Sequence, residues 1–291
     1  MKKKIFVITS LIFTAFTTYA VNLIAGSFNV LGTYRENHEF SDERLRLASS
    51  LVEYHNFDVF GTQETQYWQI QGFLKSGTYN VSGVNVEGQI PTSKNRWTNA
   101  IFYKKDKYEL IDSGAFFLTK TPDEKSMATY WKEKQYRNCN WVKLKDKTSG
   151  KEFYFFNTHF GLNPTVRLHS AKLFVERIKQ ITQGLPFFTA GDYNTRPTET
   201  ATIKAILEGG ILFDSWKVSE KKPYGPGGSF VNMLYNRPIN GVVRDCSDAN
   251  AKIDYIFISK HIKVKKCAVI ADNIGGAYPS DHLPLEAYLE F

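Results

Sequence analysis

Apolar and polar side chains alternate along the C-terminal stretch YPSDHLPLEAYLEF, residues 278–291. The apolar positions are Leu283, Leu285, Ala287 and Leu289. Alternation with a period of two is typical of a strand with one buried face. We therefore predict a strand over 285–291 that is entered through the polar residues Ser280, Asp281 and His282.

Segments rich in β-branched and aromatic residues recur along the chain and predict nine further strands. They lie at 23–31, 57–62, 99–103, 108–118, 140–145, 153–158, 186–190, 253–259 and 264–270. The segment KDKTSGKE, between two of them, is typical of a hairpin turn. So many strands exceed the capacity of one small sheet.

Helical spacing of apolar residues is found in three segments. The first follows Ser41, a candidate N-cap, and covers 45–52. The second covers 171–181, and the third is a short segment led in by Pro197. Because these helices do not alternate regularly with the strands, the pattern argues against a parallel doubly wound sheet. It predicts two packed sheets flanked by helices, with polar strand ends on one rim.

Length and composition fit a single domain with a sizeable core. The chain has 291 residues, of which 42% are hydrophobic and 15% aromatic. The sequence contains no repeat and no Ser/Gly-rich or Pro-rich linker after its first twenty residues. We therefore predict one domain over 22–291.

The first twenty residues have the pattern of a secretory signal peptide. Three lysines precede an apolar run over 5–16, and the small-residue segment Thr18-Tyr19-Ala20 follows. The apolar run is short for a bilayer span. We predict a signal peptide over 1–20, cleaved near Ala20, and an exported protein that is periplasmic or extracellular without stable membrane insertion. An uncleaved membrane anchor is the alternative.

Charge and cysteine content narrow the possible partners. Removal of the three N-terminal lysines would lower the formal net charge from +8 to +5, since that segment has no acidic residue. A mildly basic protein favours an anionic partner. The cysteines Cys139, Cys246 and Cys267 form no CxxC pair, which argues against a cysteine-bound zinc ion. In an exported chain one disulfide could form, and the sequence leaves its pairing open.

Polar residues that could perform chemistry stand at the ends of the apolar runs. They are Asn29, Glu64, Asn157, His159, Asp192, Asn194, Asp254, Asp281 and His282. A single strand-end Asp or Asn is usually a turn or cap residue, and a single His is usually structural. Asp254, however, lies within the apolar segment AKIDYIFI, where an unpaired charge is costly. We predict that His282 is its hydrogen-bond partner.

The oxygen ligands in this set suit a hard divalent cation. Glu64, Asp192, Asn194 and Asp281 fit Mg²⁺, Mn²⁺ or Ca²⁺ better than a metal that prefers sulfur. Together with two histidines, they predict hydrolysis of a phosphate ester by a metal-bound or carboxylate-oriented water. The sequence has no GxSxG elbow, GxxxxGK[ST] loop or HExxH motif, which argues against the corresponding enzyme classes.

Six ordered segments resemble the endonuclease/exonuclease/phosphatase superfamily. They are SFNV, GTQET, NTHFG, AGDYNT, KIDYIFIS and YPSDHLPLEAYL, spread over 23–291. Further segments such as AIFYKKDKYELIDSG resemble an exported bacterial branch of poorly defined substrate. The resemblance implies a deoxyribonuclease I-like α/β fold, a four-layer sandwich of two mixed, mainly antiparallel sheets between helices, with the active site at one end.

The resemblance also implies a metal site. Glu64 would be the principal Mg²⁺ ligand, helped by Asn29 and Asp281, and Mn²⁺ or Ca²⁺ could replace Mg²⁺.

Catalytic roles are implied in the same way. Asp192 and Asn194 would orient the attacking water and the phosphate. His282, polarised by Asp254, would contact the phosphate or act as the base. His159 would stabilise the developing charge or the leaving oxygen.

Two positions depart from the pattern of the family. Gly161 stands where relatives in this branch often have an acidic or polar residue. Gln66 stands where the deoxyribonucleases of the family have a DNA-contacting arginine. Gly161 gives no basis for inferring how the leaving group is recognised. Gln66 gives no support for binding of duplex DNA at that position.

Several side chains near the motifs are candidates for substrate binding. The candidate phosphate-binding cations are Arg96, Arg137, Arg167, Arg196 and Lys252, with ordinary surface charge as the alternative. The candidate stacking residues are Trp97, Trp141 and Tyr193, which could instead fill the core and rim. We prefer Arg137 with Trp141 as the substrate-side pair.

Our first functional hypothesis is a monomeric, Mg²⁺-dependent phosphoesterase that hydrolyses phosphodiester bonds of nucleic acid. A second hypothesis keeps the chemistry and changes the substrate to an inositol, sugar or lipid phosphate. A third is a non-catalytic binding module on the same fold. The complete set of acidic, amide and histidine residues favours the two enzyme hypotheses.

Overall fold

Two six-stranded sheets form the centre of the part of the chain that the structure describes. The computed structural model describes residues 20–32, 41–92, 94, 97–234, 237–238 and 245–291. The first sheet consists of β1 (Asn22–Asn29), β2 (Val59–Thr65), β3 (Tyr79–Ser82), β4 (Thr98–Lys104), β13 (Lys263–Val269) and β14 (Leu285–Glu290). Its order is β13-β14-β1-β2-β4-β3, and β1 and β2 are parallel whereas the other pairs are antiparallel.

The second sheet has the same number of strands and the same mixed character. It consists of β5 (Tyr108–Phe117), β6 (Asn138–Asp146), β7 (Glu152–His159), β8 (Phe187–Asp192), β9 (Phe213–Asp214) and β12 (Asp254–Ile258). Its order is β5-β6-β7-β8-β12-β9, with β7 and β8 parallel. A small hairpin of β10 (Met233–Leu234) and β11 (Arg237–Pro238) lies outside both sheets.

Helices cover the outer faces of the two sheets. They are α1 (Ser41–Tyr54), α2 (Tyr67–Leu74), α3 (Pro164–Thr182) and α4 (Thr200–Leu207), whereas the short α5 (Ser215–Val218) packs through Trp216 against the cluster between the sheets. Helices α1 and α2 pack on the first sheet in one apolar cluster, and α3 and α4 pack on the second sheet in another. A third cluster fills the space between the sheets. The four-layer α/β sandwich is therefore confirmed.

Strand β7 shows why the sequence pattern of the inner strands is apolar without alternation. Phe153 and Phe155 enter the cluster between the sheets, whereas Tyr154 and Phe156 enter the cluster under α3. Both faces of the strand are therefore buried, and each large side chain removed from water stabilises the fold by about 1.5–3 kcal/mol.

All ten predicted strands are present, and the three predicted helical segments are confirmed. The predicted hairpin turn joins β6 and β7, and Gly150 adopts φ +73° there. The short elements β3, β9 and α2 were not predicted. Ser41 is the first residue of α1 and not the residue before it.

The predicted signal peptide lies outside the described residues except for Ala20. Among the described helices, none combines the length and apolar character needed to cross a bilayer. The three cysteines are free, so the structure does not contain the disulfide that the sequence left open.

The ends of the described domain meet in the first sheet. Strand β14 pairs with β1, with Asn22 opposite Glu290. Beyond this register, the backbone N–H of Val21 donates to the carbonyl of Phe291 at 2.8 Å, and that of Phe291 donates back at 3.1 Å.

The strand topology brings the polar strand ends to one rim. Strands β1, β2, β7 and β8 end there, and β12, antiparallel to β8, begins there with Asp254 opposite Asp192. The segment that precedes β14 enters the same rim and contains Asp281 and His282.

Candidate active site

His282 and Asp254 form a buried ion pair, as the apolar setting of Asp254 predicted. The ring N–H at Nδ1 of His282 donates to Asp254 Oδ2 at 2.8 Å, and each side chain is almost fully buried. Ser229 donates a second hydrogen bond to the same oxygen at 2.6 Å. Burial alone would lower the pKa of His282, but the charge and hydrogen bond of Asp254 raise it well above its usual value. His282 is therefore held as a cation.

Asp192 is the centre of the polar network on the rim. Its Oδ1 accepts from the backbone N–H of Asn194 at 2.8 Å, and its Oδ2 accepts from Asn29 Nδ2 at 3.0 Å. Nε2 of His159 lies 3.5 Å from Asp192 Oδ2, and Nε2 of His282 lies 3.8 Å from it. Burial, and then the neighbouring charge of Asp254, raise the pKa of Asp192 to about 7. A carboxylate with such a pKa can accept a proton near neutral pH.

His159 differs from His282 in its protonation state. Burial lowers the pKa of His159 well below its usual value, and the positive charges of Arg137 and His282 act in the same direction. The two imidazoles of the site therefore differ, one being neutral and the other cationic. Such a difference separates the roles that two otherwise identical groups can perform.

A bulge in β2 aims Glu64 into the site. The register of β2 against β4 shifts between Thr62 and Thr65, and Glu64 adopts φ +60°. The backbone N–H of Gly32 donates to Glu64 Oε2 at 3.2 Å, and Asn29 Nδ2 donates to Oε1 at 3.3 Å. Glycine is required at position 32, because a Cβ there would lie 1.9 Å from the carbonyl oxygen of Glu64.

The carboxylates of Glu64 and Asp281 could hold a hard divalent cation. Burial raises the pKa of Glu64, and the charge of Asp281 raises it further. A bound cation would relieve this repulsion, and paired carboxylate oxygens are suitable donors for Mg²⁺. Asn29, which the resemblance implies as a further ligand, lies beside the carboxylates of Glu64 and Asp192. Its Oδ1 accepts from the N–H of Leu31 and its Nδ2 faces Glu64 and Asp192, so in this arrangement it orients the carboxylates.

Asp192, Asp254 and His282 form a second group with metal-ligand chemistry. One donor atom from each lies within 4.8 Å of the others. However, Nδ1 of His282 and Oδ2 of Asp254 already bond each other, and Ser229 bonds the same oxygen. We therefore interpret this group as a hydrogen-bonded network beside the carboxylates of Glu64 and Asp281.

The site opens into a cleft of about 730 Å³. Six predicted site residues line it: Glu64, His159, Asp192, Asn194, Asp281 and His282. Two others, Asn29 and Asp254, bond to these residues from the protein side. The remaining candidate, Asn157, is buried away from the cleft and donates to the carbonyl oxygens of Thr62 and Ala100.

Arg137 brings a buried positive charge to the cleft. It is 7% exposed, and its Nη2 donates to Gln135 Oε1 at 2.9 Å. Its Nε has no partner in the described part of the chain. Burial lowers the pKa of Arg137, which the charges of Glu133, Asp192 and Glu64 oppose. A guanidinium so placed can bind a phosphate oxygen.

Two other predicted cations are engaged in ion pairs. Arg167 lines the cleft, but its Nε and Nη2 bond Glu199 Oε2, the former at 3.1 Å. Lys252 is buried and lies 3.2 Å from Asp214 Oδ2, so its assignment as a phosphate-binding residue is wrong. Arg196 is exposed at the cleft. The candidate Arg96 lies outside the described residues.

The predicted aromatic residues are divided between cleft and core. Trp97 lines the cleft. Tyr193 is fully buried and its hydroxyl bonds Thr189 at 2.7 Å. The preferred pairing of Trp141 with Arg137 is wrong, because the indole of Trp141 packs over Gly114 and near Tyr154 on the outer face of the second sheet.

Both departures from the family pattern have a structural explanation. Gly161 lies against the Glu133 carboxylate, and a Cβ at position 161 would be 2.0 Å from Glu133 Oε2. Gln66 is 4% exposed and is the N-cap residue of α2, where its backbone N–H donates to Gln69 Oε1 at 2.8 Å.

Sequence analysis missed Ser229 and Phe230, which follow the glycine-rich segment YGPGG. The ring of Phe230 lies 4.9 Å from that of His282 and lines the cleft. A Cβ at Gly225 would lie 2.0 Å from the carbonyl oxygen of Val269, so the glycines permit the close approach of this loop. Glycines in such a pattern are typical of a turn, but nothing in the pattern shows that this loop lies beside the histidine.

Comparisons with known proteins agree with this geometry. Residues 26–282 match the model of the Endonuclease/Exonuclease/phosphatase family. No protein of curated function gives a significant match.

Solved structures of similar fold include two from Bacteroides thetaiotaomicron. One is an endonuclease/exonuclease/phosphatase family protein, with 29% identity, a TM-score of 0.81, and coverage of 94% of this chain and 99% of that one. The other is a mannosyl-6-phosphatase, with 29% identity, a TM-score of 0.80, and coverage of 92% and 100%. TDP2 from D. rerio, complexed with a single-strand DNA product, has 19% identity, a TM-score of 0.69, and coverage of 92% and 98%, so that likeness concerns the fold alone.

Proposed function

We propose that this chain, which belongs to the endonuclease/exonuclease/phosphatase family, hydrolyses phosphate esters with the help of a bound divalent cation. Mg²⁺ is the first candidate for that cation. The observation that supports this most is the position of Glu64 and Asp281 beside the network of Asp192, Asp254 and His282 in one cleft. Carboxylates for a cation and groups for proton transfer are both needed for this reaction.

Glu64 and Asp281 would hold the cation, with Asn29 fixing the carboxylate of Glu64. Mn²⁺ or Ca²⁺ could take the same place, since all three prefer oxygen donors. When bound, the cation would supply positive charge to the phosphate oxygens and to the attacking water.

The chain's own residues would position the substrate and move the protons. Asp192, with a pKa of about 7, would orient water and accept its proton. His282, held as a cation by Asp254, would bind a phosphate oxygen, and Arg137 would bind another. The neutral His159 would donate a hydrogen bond to the leaving oxygen.

The charges around the cleft favour a compact substrate with one phosphate group. Arg137 and Arg196 share the cleft with the acidic residues Asp245 and Asp248, whereas Glu199 there is paired with Arg167. A long polyanion would meet these carboxylates, whereas the hydroxyl groups of a sugar can donate to them. The likeness to a mannosyl-6-phosphatase supports a sugar phosphate monoester as the substrate.

Nucleic acid is the second candidate substrate. Trp97 at the cleft could stack on a base, and a net charge that stays positive, +5, without the three N-terminal lysines favours a polyanion. We also propose export and a monomeric state, both of which rest on the sequence alone.

The test is a panel of phosphate esters offered with Mg²⁺ and with chelator. It contains mannose 6-phosphate, glucose 6-phosphate, inositol phosphates, single- and double-stranded DNA, and RNA. We expect chelation to abolish turnover and Asp192→Asn to abolish it with Mg²⁺ present. Turnover that survives chelation, or a panel without any turnover by the wild type, would contradict the proposal. Preference for DNA over the sugar phosphates would reverse the order of the two substrates.

A further inference from the structure

Arg44 is an arginine that helix α1 buries almost completely. Its exposed fraction is 1%, whereas Arg46, two residues later in the same helix, is exposed and pairs with Glu43. Removing a guanidinium from water is costly unless several acceptors receive its N–H groups. The place of Arg44 therefore calls for an explanation in terms of what it bonds.

The guanidinium of Arg44 bonds backbone carbonyls from two separate segments. Nη2 donates to the carbonyl oxygens of Val30 at 2.7 Å and Leu31 at 2.8 Å. Nε donates to the carbonyl oxygen of Pro279 at 3.1 Å. The first segment follows the end of β1, and the second immediately precedes Asp281.

The first segment surrounds the carboxylate of Glu64. Leu31 adopts φ +51°, a left-handed conformation that a leucine rarely takes. This turn directs the N–H of Gly32 at Glu64 Oε2 and the N–H of Leu31 at Asn29 Oδ1. The carbonyl bonds to Arg44 thus stabilise a strained turn that orients one of the two cation-binding carboxylates.

The second segment places the other carboxylate. Pro279 precedes Ser280, whose hydroxyl donates to the carbonyl oxygen of Asn29 at 2.6 Å, and Asp281 follows. Arg44 and Ser280 therefore join the end of β1 to the segment of Asp281 through two sets of hydrogen bonds.

We infer that Arg44 is a positioning residue for the proposed cation site, setting the separation of Glu64 and Asp281 without touching either the cation or the substrate. The inference rests on the proposed function. A planar guanidinium has several N–H groups in a fixed fork and can bind carbonyls on both sides, which a lysine ammonium cannot do with the same geometry.

The experiment measures cation binding directly. Mg²⁺ and Mn²⁺ are titrated by calorimetry into wild type, Arg44→Met, Arg44→Lys and the matched control Arg46→Met, each first stripped with chelator. We expect Arg44→Met to weaken the Kd by about tenfold or more, as loss of a group that orients a ligand does, and Arg44→Lys to be intermediate. Arg46→Met should bind as the wild type does. At limiting cation, Arg44→Met should turn over substrate more slowly than the wild type. Saturating cation should restore a large part of that loss.

The outcomes separate this inference from the proposed function. Wild type that binds no cation would contradict the proposed function. Wild type that binds, together with Arg44 variants whose Kd is within about twofold of it, would overturn the positioning role. The melting temperature in chelator shows which variants are folded. If Arg44→Met does not fold, the Kd of Arg44→Lys decides, and a value within about twofold of wild type would overturn the positioning role.

Discussion

Asp192 and Asp254 lie directly opposite each other on the antiparallel strands β8 and β12. Both side chains are 2% exposed, and His282 contacts each of them, at 3.8 Å and 2.8 Å respectively. Two buried carboxylates on facing positions repel each other when both are ionised. The imidazolium of His282 compensates for this repulsion, so the three groups act as one electrostatic unit.

The contribution of Asp192 to the stability of the cation-free protein should therefore fall as pH rises. The folded pKa of Asp192 is about 7, above the ordinary value of 3.8, so the folded state binds its proton more tightly than the unfolded state does. This contribution is fully present below about pH 4 and is lost as pH rises to about 7, at a cost on the order of a few kcal/mol. Unfolding by urea in chelator between pH 4 and pH 8 measures the slope.

Asp192→Asn should flatten this slope, because the titrating group is absent. Asp106→Asn, which changes an exposed carboxylate in a turn, serves as the control and should leave the slope unchanged. Equal slopes in wild type and Asp192→Asn would show that the buried carboxylate titrates in its ordinary range.

Asp254→Asn should lower both the pKa of His282 and the turnover number. The charge and hydrogen bond of Asp254 keep the imidazole cationic, and loss of a correctly protonated group in the transition state typically reduces the rate by about 10²-fold or more. The pKa is measured by NMR on the cation-free protein. Ser229→Ala, which leaves the ion pair intact, should change both quantities much less, and Ser113→Ala, at an exposed position of β5, should change neither. An unchanged His282 pKa in Asp254→Asn would remove Asp254 from the mechanism.

Arg137→Ala should lower kcat/KM by about 10²-fold or more, since it would remove the desolvated charge that we propose binds the phosphate. Arg177→Ala is the matched control, because Arg177 pairs with Asp123 outside the cleft. Steady-state kinetics on the best substrate of the panel give the comparison. Equal effects of the two substitutions would argue against a phosphate contact.

Lys252→Ala should destabilise the fold by roughly 3–5 kcal/mol, because the carboxylate of Asp214 would remain buried without its partner. The double change Lys252→Met with Asp214→Asn removes both charges and keeps the cap on α5, so it should recover most of that loss. Urea unfolding measures both variants. Turnover per folded molecule should stay at the wild-type level, and a specific loss of kcat would return Lys252 to the active site.

Local sequence pattern was sufficient to predict most of the fold. Strands such as β7 are apolar on both faces, and that property is readable from the sequence without tertiary information. The polar strand ends were likewise readable, because Asp254 interrupts an apolar run. Strand β3 was missed because two of its four residues, Asn80 and Ser82, are polar.

Long-range contacts account for the errors. Nothing near Arg44 in the sequence indicates that its partners are Val30 and Pro279, and nothing near Lys252 indicates Asp214. Trp141 was misassigned because proximity to Arg137 in sequence does not imply a shared environment. Four residues along a strand separate two side chains by about 13 Å.

The pairing of Val21 with Phe291 has a consequence for protein engineering. A short linker between these residues would close the domain into a ring, and the hairpin turn around Gly150 offers a place to reopen it. In the permuted chain, the N-terminal part would contain His159 and Asp192, and the C-terminal part would contain Asn29, Glu64 and Arg137. Cutting at the same turn without the linker would divide those groups between two fragments, neither of which holds a whole catalytic set. The domain thus provides the layout of a split enzyme, in which hydrolysis reports that two halves have been brought together.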